Sequence, residues 1–334
     1  MVLNSDDPVL LMCPPDFYSI EEPDLQKGAA NDFEVEGYKE YSRDPKGFRR
    51  EACEQHANLQ KILQDVGVKT INIDPVDGMP NLVFTADPTL SLVTRGWDLP
   101  AKAMTILSHF SNENRQEEVA VNAQHLEKIA PTRAVVRAYH RTEGTGDNLY
   151  DAYRDIFWSG YAPNPSRTTA SSGRSDVRAH ATLSAITGVE VVSLAVKKPF
   201  FHVDTSVAFL SKGHVVCYED GLQPEAYKSL MSNALDRFNL PQDEYLIRVS
   251  KEDAYRYACN LLCFDDVIVM PSCSDELQDK FRQAGYEVLT SDISRFISAG
   301  GAMHCLTNNV NQRRIVGGLA KHNGHSRVLD KAHG

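Results

Sequence analysis

Strand and helix patterns recur along this chain at a nearly fixed interval, and that recurrence limits the folds it can adopt. A polar residue stands near the start of each repeat: Asp87, Glu143, His202 and Asn260 follow one another at intervals of 56, 59 and 58 residues. Each repeat reads as two strands, a helix and a third strand. Repetition at one period is typical of arrays in which each unit buries its apolar face only against its neighbours.

The first repeat has a predicted strand at Val9–Cys13, a helix at Phe48–Val66 and a strand at Val68–Ile73. Between the first strand and the helix, residues Glu21–Lys46 are polar and predict a loop that covers part of the protein. The predicted elements of the later repeats are strands 81–87 and 88–93, helix 115–128 and strand 134–138; strands within 148–160, helix 175–186 and strand 189–194; strands 201–210 and 215–218, helix 224–238 and strand 244–249; strands 257–264 and 267–270, helix 275–284 and strand 287–289.

The series begins with Val9–Cys13 and ends with a short strand that follows Cys305, and neither strand has an obvious partner. Closing five units into a ring removes such exposed edges. We therefore predict one α/β domain over residues 1–334, with a core from about 8 to 312, in which equivalent strand ends meet at a central axis. The alternative is an open α/β sheet, which the paired strands before each helix disfavour.

The charge balance limits the partners of the chain. With 334 residues and a formal net charge of −10, the chain is poorly suited to electrostatic binding of nucleic acid and would attract a small cationic substrate. No apolar run approaches the roughly 18 residues that a membrane span needs, and the first residues lack the pattern of a signal peptide. A homo-oligomer is compatible with this composition.

The cysteines point to a reducing compartment, which predicts a cytoplasmic protein. There are seven, an odd number without regular spacing, which argues against a disulfide framework. Cys259 and Cys263 lie four residues apart, but no His or Cys pair at zinc spacing accompanies them, and we interpret both as packing residues. We expect no metal and no cofactor.

Cys305 is the candidate nucleophile. It follows Gly300 and Gly301, whose backbone freedom permits a sharp turn and the close approach of a ligand. The residues after it predict a strand that would present the thiol at its edge. A buried structural cysteine is the alternative. The segment Phe201–Thr205 adds a second candidate, because alternation along a strand would send His202 and Asp204 to the same side.

Four segments together resemble the guanidine-modifying enzymes of the pentein superfamily. They read GGAMHC around Cys305, FHVDT around His202, EGTGD from Glu143 to Asp147, and MPNLVFTADP around Asp87. This superfamily includes arginine deiminases, arginine dihydrolases, dimethylarginine hydrolases and amidinotransferases. The resemblance runs in order over nearly the whole chain. It implies a propeller of five ββαβ units with a buried central site and no metal.

Hydrolysis of a guanidinium requires the same residue types. A thiolate is a strong enough nucleophile for the cationic carbon, and its pKa falls beside a cation, which the substrate or a protonated His202 would supply. Asp87 and Asp204 would hold the planar N–H groups. His202 would protonate the leaving nitrogen and then activate water, while Glu143 would orient it and keep it protonated. The alternatives are a turn-forming Asp87 and a core His202.

The resemblance also implies residues for the rest of the substrate. Asn81 would contact the amino-acid end of arginine, and Phe84 would pack near the guanidinium. Arg174 would pair with the substrate carboxylate, with Arg178 as the neighbouring alternative, and residues Pro163–Gly173 before it would be an insertion. Asp147 is either a cap for the glycine-rich turn or a partner within the site.

The number of hydrolytic steps is left open between two outcomes. The MPNLVFTADP segment is similar to arginine deiminases, which release citrulline and ammonia, whereas EGTGDNLYD and RSDVRAH are similar to arginine dihydrolases, which release ornithine, carbon dioxide and ammonia. In the dihydrolase pattern Asn occupies the position of Asp87, which favours one step here. A dimethylarginine hydrolase and an amidinotransferase that passes the amidino group to an amine are the further alternatives.

Overall fold

The computed structural model describes residues 7–23, 31–96, 102–130, 133–163 and 174–316. Its described residues form sixteen strands in five small sheets. In chain order the strands are β1 (Val9–Met12), β2 (Lys69–Asn72), β3 (Thr89–Gly96), β4 (Lys102–Leu107), β5 (Ala134–Arg137), β6 (Asn148–Asp151), β7 (Ile156–Tyr161), β8 (Glu190–Ala195), β9 (Val207–Phe209), β10 (Val215–Cys217), β11 (Leu246–Arg248), β12 (Leu262–Phe264), β13 (Val267–Pro271), β14 (Glu287–Ser291), β15 (Asn308–Asn309) and β16 (Arg313–Val316).

The same described residues contain nine α-helices, of which five follow the repeat, one in each unit. In chain order the helices are α1 (Asp32–Tyr41), α2 (Pro45–Asp65), α3 (Gln116–Ile129), α4 (Arg178–Thr187), α5 (Pro224–Ala234), α6 (Gln242–Tyr245), α7 (Lys251–Tyr255), α8 (Asp275–Gln283) and α9 (Ser294–Ile297). In the described part of the chain, no helix is both long and apolar enough to cross a membrane.

Every sheet is built on one plan. In each unit the second strand pairs antiparallel with the first strand and parallel with the third, and a helix makes the parallel crossover. The five units are β15–β1–α2–β2, β3–β4–α3–β5, β6–β7–α4–β8, β9–β10–α5–β11 and β12–β13–α8–β14. The predicted architecture of five ββαβ units is therefore confirmed.

The C-terminal strands close the ring. β15 supplies the first strand of the first unit by pairing with β1, and β16 adds to the second sheet beside β3. The buried side chain of Asn308 reinforces this closure, because its amide donates to the carbonyl oxygens of Thr85 and Thr89. The two strands that lacked partners in the sequence thus pair with each other.

Hydrogen bonds between the units run around the centre of the propeller. Each one joins the short segment that precedes the first strand of a unit to the same segment of the next unit. The donors and acceptors are Ala86 N to Cys305 O (3.2 Å), Thr145 N to Ala86 O (2.8 Å), Asp204 N to Gly146 O (3.2 Å), Asn260 Nδ2 to Asp204 O (3.3 Å) and His304 N to Asn260 O (3.3 Å). Because this circuit is complete, residues far apart in sequence are fixed around one axis.

Local sequence signals explain most of the helices. Helix α2 begins where the Asp44 carboxylate accepts a hydrogen bond from the Gly47 amide, with Pro45 at the first helical position. Its apolar face then buries Phe48 and Leu59, among other residues, against the first sheet. Spacing that repeats every three or four residues therefore predicted this helix to within three residues at either end.

The prediction of a loop over 21–46 is wrong in part, because α1 lies within it. The helix starts with a capping box, in which Asn31 Oδ1 accepts from the Glu34 amide and the Glu34 carboxylate accepts from the Asn31 amide. Of its described residues only Gly37 is fully buried, so the helix carries a weak apolar pattern. Tertiary contacts hold it in place: Asn31 Nδ2 donates to the Ala299 carbonyl next to the Cys305 turn.

One predicted strand, 81–87, and the first part of another, 201–210, form turns of 3-10 helix instead. Residues 81–87 contain a 3-10 helix at Pro80–Val83 followed by turns, and Val203–Thr205 form another with His202 just before it. The argument that alternation places His202 and Asp204 on one side of a strand is therefore wrong. Their side chains reach the same centre because the turn precedes strand β9.

The cysteines behave as the sequence predicts, since all seven are free thiols. Cys259 is buried in the loop before β12, and Cys263 lies within that strand, so the two do not share a helix face. The predicted insertion at Pro163–Gly173 falls outside the described residues except for Pro163 itself.

Candidate active site

Cys305 lies in the turn just before β15, at the centre of the propeller. Its side chain is buried, and its amide donates to Asn260 Oδ1 at 3.1 Å. Asn260 Nδ2 lies 3.2 Å from the sulfur, and Asp204 Oδ2 lies 3.3 Å from it on the other side. The predicted strand directly after Cys305 is shorter than expected, because β15 covers only Asn308–Asn309 and the thiol belongs to a helical turn.

The titration of this thiol differs from the prediction. Burial and the carboxylates of Asp204 and Asp87 raise the pKa of Cys305 well above its ordinary value. No lowering by a neighbouring cation of the protein outweighs these effects, so the thiol is protonated at neutral pH. Protonated His202, one of the two predicted sources of a neighbouring cation, does not bring the pKa of the thiol below its ordinary value, and a bound substrate stays the other predicted source.

His202 and Glu143 form a buried ion pair. The imidazole Nε2 lies 2.8 Å from Glu143 Oε2. Burial opposes protonation of His202, but Asp87, Asp147 and Glu143 outweigh it and raise its pKa to about 9. Burial likewise opposes ionisation of Glu143, whose pKa is nevertheless lowered by the hydrogen bond with His202. His202 therefore carries a proton at neutral pH, as the sequence analysis expected.

Ser111 holds the other oxygen of Glu143. Its amide and hydroxyl donate to Glu143 Oε1 at 2.9 and 2.6 Å. The sequence analysis missed Ser111, because it lies in the loop before α3 and has no motif around it. Only the three-dimensional contact identifies it.

Asp87 is fixed by a partner that the sequence analysis also missed. Arg115 donates from Nη1 to Asp87 Oδ2 at 2.8 Å and pairs with Glu118 through its other nitrogens. Both side chains are buried. Arg115 marked the start of a predicted helix, and helix-start arginines are usually solvated. One signal in the sequence was available: Asp87 lies just before the predicted strand 88–93, and Arg115 begins the helix that follows in the same repeat.

Three polar atoms in this centre lack a hydrogen-bond partner among the described residues. They are Asp87 Oδ1, Asp204 Oδ1 and His202 Nδ1, all buried. Asp87 Oδ1 and His202 Nδ1 are 3.6 Å apart, beyond hydrogen-bond distance. A Cβ atom on Gly146 would lie 2.6 Å from the first and 2.8 Å from the second, so only glycine fits there. Buried polar atoms without partners are costly, and a planar N–H-rich cation would satisfy the two carboxylate oxygens.

Asp204 has a second neighbour on its paired oxygen. His304 Nδ1 lies 2.8 Å from Asp204 Oδ2, the oxygen that also faces the sulfur. A cavity of about 150 Å³ reaches both residues and Thr145 from the side of the first strands. His304 was not among the predicted site residues, although it stands next to Cys305 in the sequence.

Asp147 supports the site from behind. Its carboxylate accepts from the Ser175 hydroxyl at 2.5 Å and from the Val203 amide at 3.3 Å. Burial raises its pKa to about 6 despite the opposing charge of His202. Because both oxygens have partners in the protein, the structure places Asp147 as a structural partner of the loop that carries His202.

The further residues that the resemblance implies for substrate binding are Arg174 and Asn81, for the amino-acid end, and Phe84, for the guanidinium. Arg174 Nη1 is 3.6 Å from Glu143 Oε2, and its guanidinium lies 4.3 Å from the centre of the Phe201 ring. Arg178, the alternative, is largely exposed and pairs with Asp176 on the surface. Phe84 is buried against Gly301, two positions from the turn of Cys305. Asn81 lies in the 3-10 helix and is half-buried, with its carbonyl 3.4 Å from Arg115 Nη2.

Comparison with known proteins gives consistent relatives. A family model described as "N,N dimethylarginine dimethylhydrolase, eukaryotic" matches residues 26–312. The bifunctional arginine dihydrolase/ornithine cyclodeaminase ArgZ of Synechocystis is 28% identical over 309 residues, which cover 92% of this chain and 38% of that protein. The N(G),N(G)-dimethylarginine dimethylaminohydrolase of Mycobacterium tuberculosis is 25% identical, over 76% of this chain and 74% of its own. The chain thus corresponds to little more than a third of ArgZ.

Solved structures agree with this result. The N-terminal domain of cyanobacterial ArgZ, crystallised with product, superposes with a TM-score of 0.76 at 27% identity over 93% of this chain and all of that domain. A variant of the same domain, crystallised covalently bonded to a reaction intermediate, also gives 0.76. A dimethylarginine dimethylaminohydrolase adduct matches with a TM-score of 0.62 at 19% identity, which shows the shared fold.

Proposed function

The chain belongs to the eukaryotic N,N dimethylarginine dimethylhydrolase family, and from that membership we propose that it is a cysteine hydrolase of guanidinium groups. Arginine is the proposed substrate, with a covalent thiouronium intermediate on Cys305. One ammonia is released when this intermediate forms. A cytoplasmic location belongs to the same proposal and rests on the seven free thiols.

The observation that carries this proposal is a pair of buried carboxylate oxygens without partners among the described residues, in the same centre as the nucleophile. Asp87 Oδ1 and Asp204 Oδ1 have no partner within the described chain, and Asp204 Oδ2 lies 3.3 Å from the sulfur. Two acceptors of this kind suit the N–H edges of a guanidinium. A substrate held between them would bring its central carbon to Cys305.

A thiol that is protonated before the substrate binds is compatible with this proposal. Asp204 and Asp87 raise the thiol pKa after burial has done so, and a bound guanidinium would offset both charges. Loss of the thiol proton would then accompany substrate binding. The sulfur forms a bond to the guanidinium carbon, and the carbon becomes tetrahedral with three nitrogens attached.

His202 would complete both halves of the reaction. Its imidazolium donates a proton to the departing nitrogen, which leaves as ammonia, and the carbon returns to a planar thiouronium. The neutral imidazole then removes a proton from water as the water attacks that carbon. The carbon–sulfur bond breaks, the thiol is restored, and a urea group remains. Glu143, 2.8 Å from Nε2, keeps the ring oriented in both steps.

We propose that the reaction stops after one hydrolysis, so that the product is citrulline. The basis is Asp87, which stands where the dihydrolase pattern has Asn. Incubation with isotopically labelled arginine followed by mass analysis tests this directly. Citrulline with one ammonia is the expected result, whereas ornithine with carbon dioxide and two ammonia molecules would contradict the single step.

Hydrolysis of methylated arginine is the second candidate, favoured by the family match. Release of dimethylamine from asymmetric dimethylarginine, at a higher kcat/KM than ammonia from arginine, would support it. An amidinotransferase would use the same nucleophile but require an amine acceptor. Ammonia release from arginine without any added amine rules out that alternative, and strict dependence on glycine or another amine would contradict hydrolysis.

A further inference from the structure

Asn260 marks the fifth unit of the repeat, and the proposed reaction gives it no part. Asp87, Glu143 and His202 stand before the first strands of their units, and all three take part in that reaction. Asn260 holds the equivalent place before β12, and its side chain has 0% exposure. A buried carboxamide needs partners for its oxygen and for both of its N–H groups. The partners of Asn260 therefore show what it does in the centre of the propeller.

The backbone fixes which way the amide faces. The Cys305 main-chain N–H donates to Oδ1 at 3.1 Å, so that atom is the oxygen. The Asp204 carbonyl accepts from Nδ2 at 3.3 Å, which uses one of the two N–H groups. The Cys305 sulfur lies 3.2 Å from Nδ2 and accepts the other. Because a main-chain N–H only donates and a carbonyl oxygen only accepts, the amide cannot be reversed.

The main chain of Asn260 is held in the same way. Its N–H donates to the Tyr257 carbonyl at 2.9 Å, and its carbonyl accepts from His304 N at 3.3 Å. Side chain and main chain thus both bind the segment that carries the nucleophile. The distance from the amide donor to the sulfur is set before any substrate arrives, and a donor fixed in advance does not have to reorganise during the reaction.

The carboxylates around the sulfur oppose a negative charge on it. Burial and then Asp204 and Asp87 raise the pKa of the thiol. His304 lies beyond Asp204, with Nδ1 2.8 Å from Oδ2, and Tyr257 stays neutral because burial raises its pKa well above the ordinary value. A cation of the protein at the sulfur would repel a guanidinium. The Asn260 amide is a neutral donor, so it favours a thiolate without that repulsion.

We propose that Asn260 is a catalytic residue: its side-chain N–H donates to the Cys305 sulfur and stabilises the negative charge that the sulfur carries in both covalent steps. This inference rests on the proposed guanidinium hydrolysis. A hydrogen bond to an ionised group is stronger than the same bond to a neutral one. The amide therefore favours the thiolate over the thiol and over the sulfur of the covalent intermediate.

The donor acts at two points in the reaction. The thiol proton is lost to solvent as the cationic substrate binds, and the thiolate then forms its bond to the guanidinium carbon. In the second step water adds to that carbon, the carbon–sulfur bond breaks, and its electron pair returns to the sulfur. Since the thiol is protonated in the free protein, both steps pass through a less stable anion, and the donor lowers the free energy of that anion.

The first test measures how readily Cys305 ionises in Asn260→Leu. Leucine has the branching of asparagine but no hydrogen-bond donor, so the replacement opens little space beside the sulfur. Peptide mapping follows the rate at which iodoacetamide alkylates Cys305 at mildly alkaline pH, without substrate. We expect this rate to fall about three- to tenfold, because less thiolate is present and the higher reactivity of a more basic thiolate offsets only part of that loss.

The acidic limb of the pH profile gives a second measurement. Attack requires the thiolate, so kcat for arginine rises with pH through the pKa of the thiol in the enzyme–substrate complex. Without the Asn260 donor that pKa is higher, and the limb should move upward by about 1–2 pH units. The alkaline limb, which reports the loss of the His202 proton, should stay in place. An acidic limb that does not move, or alkylation within twofold of wild type, would overturn the inference.

Asn148→Leu is the matched control. Asn148 is also buried, with 3% exposure. Its amide donates to the Thr142 hydroxyl and the Gly144 carbonyl, and its oxygen accepts from the Ser159 hydroxyl. Both variants lose three hydrogen bonds and should lower Tm by similar amounts, but only Asn260→Leu should slow the alkylation. Equal slowing in the two variants would show a structural cause and overturn the inference.

The outcomes also separate this inference from the proposed function. Labelling of the buried Cys217 would show that Asn260→Leu has unfolded, and the smaller Asn260→Ala would then take its place in both measurements. If wild type hydrolyses arginine and the variant behaves as wild type, the inference is overturned and the proposed function stands. If wild type hydrolyses neither arginine nor its methylated forms, the proposed function fails. Slower alkylation in the variant would then still support the donor at the sulfur, and unchanged alkylation would overturn that too.

Discussion

Cys305 and His202 lie among the same carboxylates, which raise both pKa values and so keep the thiol neutral and the imidazole charged. Burial, and then negative charge, raises the pKa of the thiol and keeps it neutral, whereas burial opposes protonation of the imidazole and the negative charge outweighs it, raising that pKa to about 9. Both therefore hold protons at neutral pH. A bound cationic substrate would offset the negative charge that raises the pKa of the thiol. The ion pair of His202 with Glu143 keeps the imidazole protonated, so that it can act as an acid.

Replacing Glu143 with Gln should move the alkaline limb of the pH profile. His202 acts as an acid only while protonated, so activity of the wild type should fall as pH rises through about 9. Loss of the Glu143 charge lowers the imidazole pKa, by about 1–2 pH units, and the decline should start correspondingly earlier. The profile of kcat/KM between pH 6 and pH 10 measures this; an unshifted limb would contradict the assignment of His202 as the acid.

The residues with distinctive chemistry were predictable from the sequence. The residues that hydrogen-bond to them and hold them in position were not. Cys305, His202, Glu143, Asp87 and Asp204 stand in motifs, and the structure brings all five together. Arg115 and Ser111 carry no motif, because an arginine or serine at a helix start is ordinary. Their importance arises from burial beside Asp87 and Glu143, which only the folded chain reveals.

Helix α1 shows how an element can depend on tertiary contacts. Its first turn has a capping box, but it has few buried residues and no strong apolar face. Asn31 and Gly37 fasten it across the turn that carries Cys305, through Ala299 and Ser298. Sequence periodicity detects a helix that buries a continuous apolar face, such as α2. It misses a helix such as α1, which contacts the rest of the protein mainly at Asn31 and Gly37.

Gly37→Ala should displace α1 from the site. Alanine is favoured over glycine inside a helix by about 1 kcal/mol, so the isolated helix would gain stability. A Cβ atom at this position, however, collides with the Ser298 backbone. We expect KM for arginine to rise several-fold and proteolysis within α1 to accelerate. Glu36→Ala, on the exposed face of the same helix, is the control; equal KM values in both variants would contradict a role of α1 at the site.

The strand predicted at 81–87 is replaced by a 3-10 helix and turns, and the one predicted at 201–210 is shortened to β9; the two differences have a shared cause. Residues 81–87 contain a run of apolar residues and residues 201–205 alternate apolar and polar ones, and both patterns favour a strand. Each segment nevertheless turns sharply and delivers polar groups to the axis. The hydrogen bonds between units at Ala86 and Asp204 impose that turn. At these two places the local sequence pattern favours a strand, whereas the hydrogen bonds that close the ring require a turn, and the turn forms.

At the scale of the whole molecule, closure depends on the C-terminal strands. The repeat in the sequence predicted five units, and the structure shows that the first one borrows its first strand from the end of the chain. The interval of nearly sixty residues could predict the number of units. It could not predict that β16 would extend the second sheet, because the apolar pattern of β16 is too short to specify a partner.

Asn308→Ala should weaken the whole propeller. The buried side-chain amide of Asn308 donates to the carbonyl oxygens of Thr85 and Thr89, and loss of these hydrogen bonds leaves the two carbonyl groups unpaired. We expect the free energy of unfolding to fall by about 2 kcal/mol, in a single transition, as measured by urea denaturation followed by circular dichroism. Asn309→Ala, at a half-buried neighbour, should cost less. An equal loss in both variants would show that β15 does not lock the ring.

The central claim is that Cys305 attacks the guanidinium carbon, and intact-protein mass spectrometry after a rapid acid quench tests it most directly. Wild-type protein mixed with arginine should gain the mass of arginine minus ammonia, located on Cys305 by peptide mapping. Cys217→Ala, which removes an equally buried thiol away from the site, should form the same adduct, and Cys305→Ala should form none. An adduct that persists in Cys305→Ala, or turnover by that variant at the wild-type rate, would contradict the account.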